Sequence, residues 1–423
     1  MKKILLVVVA IIIIFGVLTY ISMNSTQDQF KTCEILDASI LAIEDFSEYD
    51  SVLVAANTLY DGDWVKEFMQ GEQYRDAWAA PVRVPIVYLD TLLGGLKVIE
   101  EGGGKQTHSL EVEDSKGIRY SFRSISKDPA KLVPDVAHDL GLENIIIDGV
   151  SAQHPYAAIA VAKMAEAAGV LHTNPKVYFV PEQPTLGKFN KKYGNRLYLF
   201  EFETEGKKNW TNYEKIVELL DTDDLQEWKS EGKSISIDKS ALIRARLFDL
   251  IIGDWDRHAK QWGWAVEEND GQFLAHPIAG DRDNAFFKLE GVIPKMISND
   301  LLLPELQTFE HDIEYMPGLV RSFDVYFLRM ATMDDFLKEA KHLQDTLTDK
   351  TIDTAFALWS KNIYDLNAEE IKTKLKARRA RIVEYAKSFK SILDERELEP
   401  VILKGSEDLQ LDENLSKCFD CAE

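Results

Sequence analysis

The stretch "LIIGDWDRHAKQWGWA", residues 250–265, sets two aspartates, an arginine, a histidine and a glutamine against an apolar run. A second charged knot, "HPIAGDRDNAF", follows at 276–286. Burying charge is costly unless the charges are paired or hold a metal. Two readings compete. In one, the groups neutralise each other, with Arg257 bridging Asp254 and Asp256 in a structural turn. In the other, some of them await a cation and an anionic ligand.

The flanking pattern places both knots at the ends of regular elements. "DKSALIRARLFDLIIG" (238–253) reads as a helix that delivers the chain into the first knot. Arg244 and Arg246 are two residues apart on it, so at most one of them faces a site. "WGWAVEENDGQFLAHPI" (262–278) reads as a pair of short strands joining the knots, with Trp262 and Trp264 in the core. The amide oxygen of Gln261 with the carboxylates of Asp281 or Asp283 makes an all-oxygen donor set. Such a set suits Mg2+ or Mn2+. Asp256, a separate carboxylate, can orient an acceptor hydroxyl. That division of labour belongs to phosphoryl transfer. His258 alone reads as a structural hydrogen-bonder.

What such a site still lacks is found upstream. "GGGKQTHSL" (102–110) offers backbone amides at Gly102, Gly103 and Gly104, and further donors at Lys105, Thr107 and Ser109. The same glycines also suit an ordinary hairpin turn. Arg123 or Lys127, on or just after the next strand, can supply a fixed cation, although Lys127 alone reads as a solvated strand end. A metal-dependent hydrolase using His258, His276, Asp281 and Asp283 is a weaker reading, because such enzymes need more ligands on short spacings.

Working outward, 94–127 reads as an antiparallel meander: "GGLKVIEEGGGKQTHSLEVED", a turn at 115–117, then "IRYSFRSISK". "PYAAIAVAKMAEAAG" (155–169) is a helix between Pro155 and Gly169. "KVYFVP" and "RLYLFEFE" are further strands. Residues 51–80 carry a helical pattern, and "ILDASILAIEDF" (35–46) reads as a short helix in a polar, acidic stalk. From 210 onward the chain reads as mainly helical. It ends in a long helix over 367–394, whose basic cluster at 372–381 reads as a solvated face. The expected divisions are 1–23, a membrane anchor; 24–80, stalk and helical segment; 81–205, a strand-rich lobe; 206–396, a helical lobe; and 397–423, a tail. The fold class is α+β.

The 423 residues carry a net charge of −22, with 45% hydrophobic and 28% charged residues. That acidity argues against nucleic acid as a partner, since phosphate backbones need basic surface. "MKKILLVVVAIIIIFGVLTYISM" (1–23) is long and apolar enough to span a bilayer. No clear cleavage site follows, so it reads as an uncleaved signal-anchor. Lys2 and Lys3 favour the cytoplasmic side and place the bulk of the chain outside the cytoplasm, which is the periplasm if the source is a Gram-negative bacterium. Three cysteines exclude a four-cysteine zinc site. Cys418 and Cys421 suit a small disulfide clip or two free thiols.

"FDLIIGDWDRH" with "GDRDNAF" resembles the paired motifs of atypical kinases: phosphatidylinositol kinases, HipA toxin kinases, CotH spore-coat kinases and secretory-pathway kinases. With "WAAPVRVP", "GGLKVIEEGGGKQT" and "YSFRSISKDP", it also resembles a domain of envelope proteins of Bacteroidetes-like bacteria. The resemblance covers about 80–300 and implies a two-lobed protein-kinase-like fold. It implies Asp256 as the catalytic-loop aspartate, Gln261 and Asp281 or Asp283 as metal ligands, and Arg257 and His258 as supporting residues. Gly102, Gly103, Gly104, Lys105, Thr107 and Arg123 would hold phosphate. The implied cofactors are Mg2+ or Mn2+ and ATP or another nucleotide. The implied acceptor is a protein, lipid or glycan. Three departures stand out: Gln261 in place of asparagine, Arg123 in place of the strand lysine, and no glutamate early in the 155–169 helix, where Gln153 or His154 can substitute. They support a second reading, a catalytically inactive kinase-like envelope protein that binds a phosphorylated ligand or a partner.

Overall fold

The computed structural model describes residues 2–23, 32–37, 46–102, 107–128, 133, 135–298 and 302–421. Gly103, Gly104, Lys105 and most of the helix expected over 35–46 lie outside them. Seven helices matter here: α1 (Lys2–Met23), α2 (Trp64–Gln70), α3 (Ala157–Ala168), α4 (Lys239–Ile252), α5 (Val292–Ile297), α6 (Met333–Thr346) and α7 (Glu369–Glu395). Helix α1 is long and apolar enough to cross a membrane.

The strands form three sheets among the described residues. A small one joins β1 (Glu34–Ile35), β2 (Ser51–Ala55) and β3 (Pro81–Pro85). This corrects the helical expectation for 51–55 and for Ile35. "SVLVA" buries Val52 and Val54 on one face, a period of two that suits a strand. The second sheet has five strands: β4 (Leu96–Gly102), β5 (Ser109–Asp114), β6 (Arg119–Ser124), β7 (Lys176–Val180) and β8 (Arg196–Phe202), in the order β4-β5-β6-β8-β7. All its pairings are antiparallel. The third contains the strand pair expected over 262–278 and adds two strands that the mainly helical reading beyond 210 did not expect. It consists of β9 (Ile216–Asp221), β10 (Ile235–Ile237), β11 (Trp262–Asn269) and β12 (Gln272–Ala279), ordered β10-β12-β11-β9. The chain is therefore mixed α/β, with a sheet-rich part preceding a helix-rich part.

Alternation sorts the five-stranded sheet into two chemically different faces. Leu110, Val112, Tyr120, Phe122, Tyr198 and Phe200 point one way and form a core of their own with Leu186 and Tyr193. Tyr120 and Phe200 stack at 5.0 Å. The cross-strand register puts Glu111 opposite Ser121, Ser121 opposite Glu201, and Arg123 opposite Leu199, all on the other face. This sheet therefore turns one mainly polar face away from its core.

Helix α4 sits in the main core. Asp238 caps its first turn, accepting from the Ala241 amide at 3.0 Å. Gly253 ends it with φ +71°, and a Cβ there would meet Phe309 at 2.5 Å, so only glycine fits. Helices α6 and α7 pack on α4 and on each other. The basic cluster on α7 is not a solvated face: Lys372, Lys374 and Arg378 are buried. Arg378 donates to the carbonyls of Leu250 (2.9 Å) and Glu310 (2.6 Å), so its charge satisfies the otherwise unpaired end of α4. Cys418 and Cys421 form a disulfide, and the adjoining Phe419 is buried against Phe327 and Tyr326.

Candidate functional site

The charged groups of the two knots divide into two sets. The first is a buried network. Asp249, at the end of α4, is fully buried and receives Arg246 (3.0 Å), Arg257 (3.2 Å) and Arg282 (3.0 Å). Asp324 takes Arg246 at 2.5 Å, and Asp254 lies 3.7 Å from Arg257. Arg257 thus bridges Asp249 and Asp254, not Asp254 and Asp256 as the purely structural reading expects. Burial pushes the Asp254 carboxyl up to about 8, and Arg257 offsets this only in part. Neither Arg244 nor Arg246 is spent on a cleft. Arg244 binds Glu339 and the Gly169 carbonyl.

Arg257 also ties the knots together. It donates to the Gly280 carbonyl at 2.8 Å and lies over the Trp262 ring at 4.6 Å. The Gly280 amide in turn donates to the Gln261 carbonyl at 3.1 Å. The backbone of Gln261 is thereby fixed beside the turn that carries Asp281. Asp281 has φ +48°, a left-handed conformation uncommon outside glycine.

The second set faces the polar side of the five-stranded sheet. Arg123, on β6, pairs with Asp281 and lies 3.5 Å from Asp283 and 3.4 Å from Glu201. Lys127, just past β6, pairs with Asp283. Lys127 is buried, which corrects its reading as a solvated strand end. Burial opposes ionisation of Asp281, but Arg123 and Lys127 outweigh it and hold the carboxyl well below the usual range. Burial and the neighbouring Asp281 push Asp283 up. Gln153 donates to Asn284 at 2.7 Å, and Asn284 donates to Asp283 at 3.2 Å, so Gln153 reaches this turn. His154 instead stacks on Trp359 at 4.3 Å, and burial lowers it to about 3. Glu166 is exposed at the far end of α3 and pairs with Lys163.

Asp256 is partly exposed and borders a pocket of about 470 Å³. Its carboxylate is 3.7 Å from His258, whose Nε2 is 3.0 Å from the Lys404 ammonium. Burial lowers the His258 imidazole to about 4, so it is neutral and can accept from Lys404. Arg321 and Arg396 line the same pocket. A larger pocket, about 590 Å³, lies along α3 and β7 and includes Ile159, His172 and Trp359, but no residue of either knot. It has less bearing on the chemistry than the smaller one.

The other sequence-derived residues fall as follows. Gly102 ends β4 and pairs with Ser109, while Thr107 is the first described residue after 103–106. The hydrolase grouping is not assembled around His276. That residue lies between Asp238 and Glu267, each at 3.1 Å, and stacks on Tyr213 at 4.0 Å. Sequence reasoning missed Glu201, Asn284 and Lys404. Glu201 had a signal: in "LFEFE" glutamate alternates with phenylalanine, which sets it on the face opposite the core. Lys404 had none, because it comes from the distant tail. Among the described residues, no group of three or more His, Cys, Asp or Glu is arranged to hold a metal.

No family model and no curated protein matches this chain. Two solved structures to which it is similar are both at low identity. One is the Helicobacter pylori proinflammatory kinase CtkA, at 13% identity and a TM-score of 0.36, covering 71% of this chain and 97% of that one. The other is the Shewanella oneidensis MR-1 toxin–antitoxin system HipA and HipB with its operator DNA, at 10% identity and a TM-score of 0.32, covering 74% and 77%.

Proposed function

We propose that this chain is a membrane-anchored, extracytoplasmic, kinase-like phosphotransferase. The observation that carries the proposal is the meeting of Arg123 and Lys127 with the Asp281–Asp283 turn, which Arg257 fastens to the loop bearing Asp256. Basic groups for donor phosphates thus face acidic groups for a metal, with a separate carboxylate close in sequence. In the resting state these cations and carboxylates neutralise each other. When a nucleotide binds, Arg123 and Lys127 would exchange their carboxylate partners for phosphate oxygens.

Asp281, Asp283 and the Gln261 amide are hard oxygen donors that fit Mg2+ or Mn2+. Such ions commonly take one or two carboxylates and complete their shell with phosphate oxygens and water. The bound ion would neutralise charge on the donor phosphates. Asp256 would accept the proton of an acceptor hydroxyl as its oxygen bonds to the terminal phosphorus and the bond to the leaving diphosphate breaks. The acceptor, a protein, lipid or glycan, would enter the pocket beside Asp256. Arg321, Arg396 and Lys404 there favour an anionic one. Lys2 and Lys3 favour the cytoplasmic side and so support an extracytoplasmic domain; protease protection of the intact domain in spheroplasts would refute that side.

The primary test is thermal stabilisation of the full chain by ATP with Mn2+, followed by phosphate transfer. Saturation at 100-fold over Kd should add about 2.7 kcal/mol. Lys127→Ala should remove most of this effect. A second reading, ligand binding without turnover, is favoured by one observation: the only acidic residue of α3 is Glu166, which pairs with Lys163 and leaves Lys127 to Asp283. Stabilisation without transfer would select it. Absence of both would reject the two readings together.

A further inference from the structure

Helix α1 is bare along only part of its length. Lys2 to Ile14 are exposed throughout, and contacts with the rest of the chain begin at Phe15. Phe15 and Leu18 pack on Val65 and Met69 of α2 and on Ile293 of α5. Gln70 donates to the Ser22 carbonyl at 3.0 Å, and the Tyr20 hydroxyl to the Leu140 carbonyl at 2.9 Å. The last nine residues of the anchor are therefore docked on the domain.

A bilayer core is about 30 Å thick. The thirteen bare residues, at 1.5 Å each, cover at most about 20 Å of it, since Lys2 and Lys3 belong at its far edge. About 10 Å of hydrocarbon must be met by the docked part of α1 together with whatever packs on it, an immersion of the depth that interfacial helices reach.

The side chains around that junction suit this position. Trp64 and Phe68 are one turn apart on α2, exposed by 71% and 57%. Their face is turned about 100° from the Val65–Met69 face that holds α1. Leu140 beside Tyr20, and Met296 and Ile297 at the end of α5, are likewise exposed. Asp61, Asp63 and Glu67 are exposed in or beside α2, so attraction to anionic headgroups is not what would hold this face down.

We infer that the face formed by Trp64, Phe68, Leu140, Met296 and Ile297 is immersed in the outer edge of the bilayer that α1 spans, so the domain lies on the membrane and is not carried away from it on a stalk. This rests on the membrane-anchored reading and is independent of the kinase chemistry.

The test uses the full chain in nanodiscs of zwitterionic phosphatidylcholine, with quenchers placed at shallow or deep acyl positions. Shallow quenchers should reduce tryptophan fluorescence, and Trp64→Phe should abolish most of that reduction, whereas Trp210→Phe should not. Equal quenching of the parent and Trp64→Phe, with the protein retained in the discs, would overturn the immersed face and leave the anchor standing. Failure of the chain to enter the discs would overturn both.

Discussion

Asp281→Ala or Asp283→Ala, whichever residue is the metal ligand, should abolish Mn2+-dependent nucleotide binding, while Asp256→Asn should leave that binding nearly intact. The Asp256 change should instead slow phosphate transfer by about 10² to 10⁴, the usual cost of losing a positioned general base. The difference follows from place. Asp281 and Asp283 pair directly with Arg123 and Lys127, where the ion would join protein to phosphate. Asp256 borders the separate pocket with His258 and Lys404. Neither change should unfold the chain, because all three carboxylates keep some exposure. Calorimetry with and without Mn2+ and ATP, paired with a transfer assay, reads both effects. Equal loss of nucleotide binding in all three variants would refute the division of roles.

Asp249→Ala should have the opposite profile, a severe loss of stability with no specific effect on the ligand. Three buried arginines converge on this one carboxylate, and Arg257 and Arg282 lie within the two knots. Removing one partner of a buried ionic network typically costs about 3–5 kcal/mol, because the remaining charges stay buried and uncompensated. That is a large share of the roughly 5–15 kcal/mol that holds a typical protein together. The melting temperature of Asp249→Ala should therefore fall far below that of Asp256→Asn. A variant as stable as the parent would show that the network is not what fastens the knots.

The two expectations answer the question raised by the charges around 250–286. The neutralising reading holds for the buried set, and the ligand reading is what we propose for the others. Asp249, Asp254, Arg257 and Arg282 are paired in the interior, while Asp256, Asp281 and Asp283 retain exposure. Sequence spacing cannot make this division. Asp254 and Asp256 are two residues apart in one loop, and which of them turns inward depends on Gly253, Phe309 and the arginines that the tertiary fold supplies.

By itself the sequence determined the periodic elements. The apolar run of α1, the alternating strands of the meander, the helix entering the first knot and the strand pair joining the knots are all written in local patterns, because burying one face of a helix or strand imposes its own repeat. Local pattern also brought the two knots within a short strand pair of each other. Only the tertiary structure decided which charges meet. Lys127 looked solvated because it stands at the end of a strand, next to Asp128 and Pro129, yet Asp283, 156 residues on, takes its charge. The basic cluster of α7 looked like a surface, yet Arg378 is drawn inward by the Leu250 carbonyl, 128 residues away. Glu201 reaches Arg123, and Lys404 reaches His258, the same way. A buried charge must find a partner wherever the fold brings one, and sequence periodicity carries no record of that distance.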